Sequence, residues 1–306
     1  MTSHDDLVQL MCLERLEVNL FRGGTRNYGG RSVFGGLVIG QAVSAANQTV
    51  EDRPIHSLHA YFLLPGDMTA PIVYEVDRIR DGGSFTSRRV QAIQNGRPIL
   101  SMIASFHKEE EGFDHALPMP QVPRPEDLKL ASELIPQWLA EAGPVDDHIR
   151  AALEGHVFIE TKPINPRNPF KPEATAPVNC HWFRVPVRLP DDPQLHRALL
   201  AYASDWGLLG TAMRPHAATW LSSDMMVASI DHAVWFHREL RVDDWLLYTM
   251  DSPSASNARG LTRGLVYNRD GQLVASTAQE GLIRPIKGRE TWQRSLVAEH
   301  PAPPTP

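Results

Sequence analysis

The sequence predicts an α+β protein in which one helix-and-sheet unit is written twice. Three observations carry that reading. The first is a pair of matching strand–turn–strand runs, Thr86–Ser105 with Asn95-Gly96 at its turn and Leu261–Glu280 with Asp270-Gly271, at an offset of 175 that lays Arg263 on Arg88. Both dipeptides suit the positive-φ positions of a two-residue hairpin turn. The second is a shared order of elements, a helix followed by four strand patterns. The third is a change of character between the copies, where Glu109-Glu110-Glu111 and the prolines Pro118, Pro120, Pro123 and Pro125 mark a linker. The copies are unequal: where the first has Ala104, the second carries Gln279.

In chain order, Asp5 to Leu20 reads as a helix that Ser3 or Asp5 could cap. Gly35 to Val50 reads as a second helix, small and apolar almost all round and therefore buried. Strand patterns follow at His56–Leu64, Ile72–Arg80, Ser84–Gln94 and Pro98–His107, which suggests an antiparallel sheet wrapped around that helix. After the linker and a polar helical segment to Glu154, strands are expected near His156–Lys162 and Asn179–Arg188. A helix is expected at Leu195–Met213, then strands at Met226–His237, Trp245–Ser252, Ser256–Asn268 and Leu273–Arg284. The division is a first unit over 1–108, a linker over 109–154, a second unit over 155–290 and a Pro-rich tail over 291–306.

Composition narrows the function classes. A formal net charge of −6 argues against nucleic acid as the main partner, since phosphate binding needs a concentrated basic surface. No apolar run approaches the ~18 residues of a membrane span. Cys12 and Cys180 lie far apart without metal-ligand spacing and read as isolated thiols. The acidic N-terminus lacks the marks of a signal peptide, and the tail lacks a Ser-Lys-Leu address, so a cytoplasmic protein is the expectation.

Three polar residues interrupt apolar patterns. Ala198, Tyr202, Asp205, Leu209 and Ala212 fall on one face of a continuous helix, and an ionised carboxylate on such a stripe is costly unless paired. Gln279 shares a strand face with Leu273, Ala275, Thr277 and Gly281, and Ser229 lies early in its strand. Each has an ordinary structural explanation: a carboxylate at the rim of a packed face, a solvent-facing strand residue, a serine that is only a serine. Together they could hold a water, the carboxylate accepting its proton while hydroxyl and amide fix its position, which suits hydrolysis of an activated acyl group. Arg88, Arg89, Arg259 and Arg263 could meet ligand phosphates or simply solvate a face. His56 and His59 could serve as a base or sit in a core or interface. His232 faces opposite to Asp231 and His237, which argues against a metal site there. No G-x-S-x-G elbow, P-loop or dinucleotide fingerprint occurs.

At these residues the chain resembles acyl-CoA thioesterase II, the TesB-type double-hotdog thioesterases. The resemblance runs through Val33-Phe34-Gly35-Gly36, His59-Ala60-Tyr61-Phe62-Leu63-Leu64-Pro65-Gly66-Asp67, Tyr202-Ala203-Ser204-Asp205, Ile230-Asp231-His232-Ala233-Val234-Trp235-Phe236-His237-Arg238 and Val274-Ala275-Ser276-Thr277-Ala278-Gln279-Glu280-Gly281. It implies a tandem (double) hotdog, two antiparallel sheets each wrapped around a central helix. It implies hydrolysis of acyl-CoA to free acid and CoA without metal or other cofactor, by Asp205, Ser229 and Gln279. Many members carry Thr where Ser229 stands. Arg88, Arg259, Arg263 and His59 are the candidates for substrate binding, and a homodimer or homotetramer is expected. Two other readings are weighed: a non-catalytic acyl-CoA-binding protein on the same fold, which would need no intact trio, and a hotdog enoyl-CoA hydratase. The hydratase lacks its partner histidine here, because the fifth residue after Asp205 is Gly210.

Overall fold

Each half of the chain wraps a sheet around one helix, and the two sheets join edge to edge. The computed structural model describes residues 5–27, 32–154, 158–222 and 224–286. Capping by Ser3, the strand start at His156 and the tail over 291–306 lie outside the described residues, as does the side chain of Asp5. The elements of the first half are α1 (Asp5–Met11), β1 (Glu14–Glu17), β2 (Leu20–Gly23), α2 (Gly35–Asn47), β3 (Ile55–Phe62), β4 (Ile72–Asp81), β5 (Phe85–Gln94) and β6 (Arg97–His107). Two linker helices follow, α3 (Ala131–Ala142) and α4 (Asp147–Glu154). The second half comprises β7 (Glu160–Pro163), β8 (Val178–Arg184), α5 (Pro193–Ser204), α6 (Gly210–Met213), β9 (Met225–Ser229), β10 (Asp231–Phe236), β11 (Leu246–Ser256), β12 (Arg259–Tyr267) and β13 (Leu273–Pro285).

All pairings are antiparallel, in the order β1-β2-β4-β5-β6-β3-β10-β13-β12-β11-β8-β7, with β9 also on β13. The seam is β3 against β10, where Tyr61 faces Asp231 and Ser57 faces Trp235. Under this sheet α2 and α5 lie against one another. They approach closely because Gly36 and Gly40 present no side chain: a methyl on Gly36 would collide with the carbonyl oxygen of Tyr202. Leu37, Ile39, Ala42 and Val43 of α2 and Leu199, Leu200 and Ala201 of α5 are wholly buried and form the shared core.

The structure departs from the sequence reading in four places. The first helix stops at Met11, and its expected continuation to Leu20 instead forms β1, the turn after it and the first residue of β2. There Phe21 is buried and Leu20 pairs with Glu75, while Leu16 and Val18 are exposed, so edge pairing with β4 overrides helical periodicity. The helix expected over Leu195–Met213 is two helices separated by Asp205–Leu209, with Gly207 at φ +76 in the break. The strand expected over Met226–His237 breaks at Ile230, where the Asp231 carboxylate accepts the backbone N–H of Glu280.

The fourth departure concerns register. Asn95 (φ 50) and Gly96 (φ 72) form the expected two-residue turn, but only Gly271 (φ 81) is left-handed at the second site. Asn268 and Gln272 close a longer loop there, with the Asn268 amide oxygen accepting from the N–H groups of Asp270 and Gln272. The longer loop slips the copies by one residue. Arg88 pairs with Ala104, whereas Gln279 pairs with Thr262 and not with Arg263. The true counterpart of buried Arg88 is therefore buried Thr262, and Arg263 points outward.

Candidate active site

Asp205, Ser229 and Gln279 come together where α5 ends. Asp192 caps the start of α5 by accepting from Gln194 N–H, with Pro193 in the first turn. Its last turn closes at Ser204, which makes Asp205 the C-cap rather than a residue inside a longer helix. That position lets the carboxylate leave the helix toward the sheet. Gln279, wholly buried on β13, donates Nε2–H to Asp205 Oδ1 at 2.6 Å and to Ser229 Oγ at 3.1 Å. The Ser229 hydroxyl lies 3.4 Å from the same carboxylate oxygen. The amide orientation follows from chemistry: turned over, its oxygen would face a carboxylate oxygen at that short distance. Gln279 Oε1 consequently has no hydrogen-bond partner among the described residues. The alternation expected for β13 holds, with Ala275, Thr277, Gln279 and Gly281 all buried.

The second carboxylate oxygen faces the first copy. A methyl on Gly35 would stand 2.8 Å from Asp205 Oδ2 and 2.8 Å from Phe62 Cζ. The first hydrogen bonds of α2 run from Leu37 N–H and Val38 N–H to Phe34 O, so the amides of Gly35 and Gly36 precede the helical ladder and carry the positive end of its dipole. Phe34 packs edge-on against Tyr202 at 5.4 Å and Trp206 at 5.7 Å, walling the same region. The site is thus built across both copies, a feature that reading each copy by itself could not reveal.

The first copy has no equivalent trio. Ile55 pairs with Phe106 as Ser229 pairs with Gly281, two residues beyond Ala104 and Gln279 respectively. The C-cap of α2 is Gln48 where α5 has Asp205. Gln48, Ile55 and Ala104 therefore stand where Asp205, Ser229 and Gln279 do. Arg88 occupies the neighbouring place, donating to Asp81 Oδ1 at 2.6 Å and to the side chain and carbonyl of Thr49 at the end of α2.

The four substrate-binding candidates are not brought to the trio. Arg88 is buried with the partners just named. Arg259 pairs with Glu280 at 3.0 Å and Arg263 with Asp251, both on the outer face of the sheet. His59 is exposed on that face, edge-on to Trp235 at 5.2 Å. The sequence reading discounted His232 as a metal ligand and gave neither it nor Ser204 a part in the site. His232 faces inward, opposite to Asp231 and His237 as alternation predicted, and its Nε2 lies 2.8 Å from Ser204 Oγ. Tyr248 OH holds the Ser204 carbonyl at 3.0 Å and meets Thr277 Oγ1 at 2.7 Å.

Fold and site define a class: a double-hotdog protein with a clamped carboxylate facing a helix N-terminus. Residues 150–282 match the acyl-CoA thioesterase family model, and residues 24–107 match that of the acyl-CoA thioesterase N-terminal domain. The chain is 41% identical to acyl-CoA thioesterase 2 of Haemophilus influenzae, over 92% of this chain and 97% of that protein. It is 39% identical to human acyl-coenzyme A thioesterase 8, over 89% of this chain and 86% of that one. Among solved structures it is similar to acyl-CoA thioesterase II of Mycobacterium marinum, with a TM-score of 0.74, 40% identity, and coverage of 92% of this chain and 98% of that chain. A hotdog-fold protein of Alicyclobacillus acidocaldarius, 18% identical with a TM-score of 0.70 over 93% of this chain and 99% of that chain, shares the fold. The chain belongs to the acyl-CoA thioesterase family, hydrolases of the thioester bond.

Proposed function

We propose that this chain hydrolyses fatty acyl-CoA by direct attack of a water that Asp205 deprotonates. The observation that carries the reading is the 2.6 Å hydrogen bond from Gln279 to Asp205 Oδ1, which commits one carboxylate oxygen to the clamp and turns the other toward α2. Asp205 Oδ2 takes the water's proton as the oxygen bonds to the thioester carbon. Gln279 Oε1 and the Ser229 hydroxyl orient the water. The amides at the start of α2 face the carbonyl oxygen and stabilise the charge that develops there. Collapse breaks the carbon–sulfur bond; CoA leaves as the thiolate and is protonated, and the acyl group leaves as the free acid. A non-catalytic binder would have no use for a carboxylate held this way, which favours the hydrolase.

A single turnover with enzyme in excess, run in ¹⁸O-water, tests the route. Direct attack puts the label in the fatty acid and none in Asp205. Label in the Asp205 carboxylate would mean that Asp205 attacks the thioester itself, and the proposal would fail. A CoA phosphate contact at Arg259 or Arg263 would have to displace Glu280 or Asp251.

Assembly into a homodimer or homotetramer is also proposed. Its support is the outer face at the seam, where Tyr61 and Ile103 are 58% and 52% exposed beside His59 and Trp235. Light scattering that shows only monomer at micromolar concentration would exclude it.

A further inference from the structure

His232 is buried completely, yet one of its ring nitrogens has no hydrogen-bond partner among the described residues. Ser204 Oγ donates to Ala201 O at 2.9 Å, so toward His232, 2.8 Å away, it can only accept. That places the ring hydrogen on Nε2 and leaves Nδ1 a bare acceptor, without a hydrogen-bond partner among the described residues. Burial holds the imidazole below its ordinary pKa and hence neutral, although the Asp205 and Asp231 charges pull the other way. The first copy shows what the fold alone requires here. Leu58 pairs with Ala104, the counterpart of Gln279, so Leu58 fills the place of His232. A leucine packs there without any unpaired polar atom, and a half-satisfied imidazole is the costlier choice for stability.

We infer that His232 is a positioning residue for the reaction, acting through Ser204 on Asp205. Ser204 is the last residue of α5 and Asp205 its C-cap. His232 fixes the Ser204 side chain and Tyr248 fixes its carbonyl, so the final helical turn is held from two strands. Gln279 and Ser229 then hold the carboxylate itself. Backbone and side chain of the base are positioned by separate sets of groups, and among the described residues only the second copy has both. Continuing the Ala233–Ala278 register sets His232 beside Gln279 across the strands.

The inference rests on Asp205 as the base, so Asp205→Asn is measured in the same assay. Against a saturating acyl-CoA, His232→Leu is expected to keep the wild-type Tm within a few degrees. It should lose about 10–100-fold in kcat with KM within about threefold, the scale of a misplaced catalytic group. His232→Gln, whose amide nitrogen can reach Ser204 from the Nε2 position, should recover most of that loss. Ser204→Ala should reproduce the kcat loss, and the His232→Leu, Ser204→Ala double variant should add nothing further. Wild-type kcat in His232→Leu beside an inactive Asp205→Asn would overturn the role of His232 alone. Additive losses in the double variant, or no rescue by Gln, would overturn the route through Ser204. Wild-type activity in Asp205→Asn would remove the base and this inference with it. Should His232→Leu fail to fold, Ser204→Ala carries the same test.

Discussion

At Asp205 one carboxylate oxygen is engaged and the other is directed, and this division decides what each neighbour can do. Gln279 is the clamp, since its amide donates to both other members of the trio. Ser229 is the looser member, 3.4 Å from the carboxylate. Restoring a β-branch at this position removes rotamer freedom, so Ser229→Thr is expected to raise kcat by about two- to fivefold with little change in KM. A rate unchanged or reduced in steady-state assays would mean that the hydroxyl is already fixed. Gly35 offers a sharper test of the approach from the first copy. Gly35→Ala drives a methyl against Asp205 Oδ2 and Phe62, and its kcat/KM should fall at least ~10-fold while circular dichroism stays native. The trio was legible because three polar residues interrupt apolar patterns and match a family motif. His232, Ser204 and Gly35 were not, because their roles exist only once strand register and the opposing helix are known.

Elements were read best where local pattern and tertiary environment agree. The strands β3 to β6 fall close to their expected bounds, and α2 is the small, buried helix its composition implies. The misreadings share one cause, a long-range pairing that local pattern cannot see. β1 and β2 peel off a helical pattern, β2 to pair with β4 and β1 to pair with β2, and α5 stops early so that Asp205 can turn into the site. The one-residue slip between copies arises from a loop closure, not from any change in strand composition. Packing of α2 on α5 leads to a stability prediction. Gly36→Ala meets the backbone at Tyr202 and should cost about 1–3 kcal/mol, read as a lower denaturation midpoint at unchanged m-value. On β8, burial pushes the His181 imidazole down to about 4 from 6.5. The unfolded chain binds this proton first, so stability falls as pH drops from about 6.5 toward 4, by up to ~3 kcal/mol from this group. His181→Phe should flatten the curve in that window, and an unchanged slope would show that other groups dominate.

Across the whole molecule, duplication supplies two scaffolds and, on the proposed mechanism, one reaction centre. In the proposed mechanism the second copy contributes the base and its clamps; the first contributes the helix N-terminus and Phe62. Gln48, Ile55 and Ala104 cannot reproduce the trio, and Arg88 closes that region of the first copy. One site per chain is therefore expected. Calorimetric titration with a non-hydrolysable acyl-CoA thioether should give a stoichiometry near one, and a value near two would mean that the first copy binds as well. The repeat itself was visible in the sequence through its two hairpins, whereas the seam between β3 and β10 and the sharing of the site across it were not.

The most direct measurement is release of free CoA from a short-to-long acyl-CoA panel by wild type and Asp205→Asn, a change that keeps the shape and removes the base. The account predicts hydrolysis by wild type and a loss of about 10²–10⁴-fold in kcat for the variant, with folding and substrate binding retained. Wild-type turnover by Asp205→Asn would contradict it.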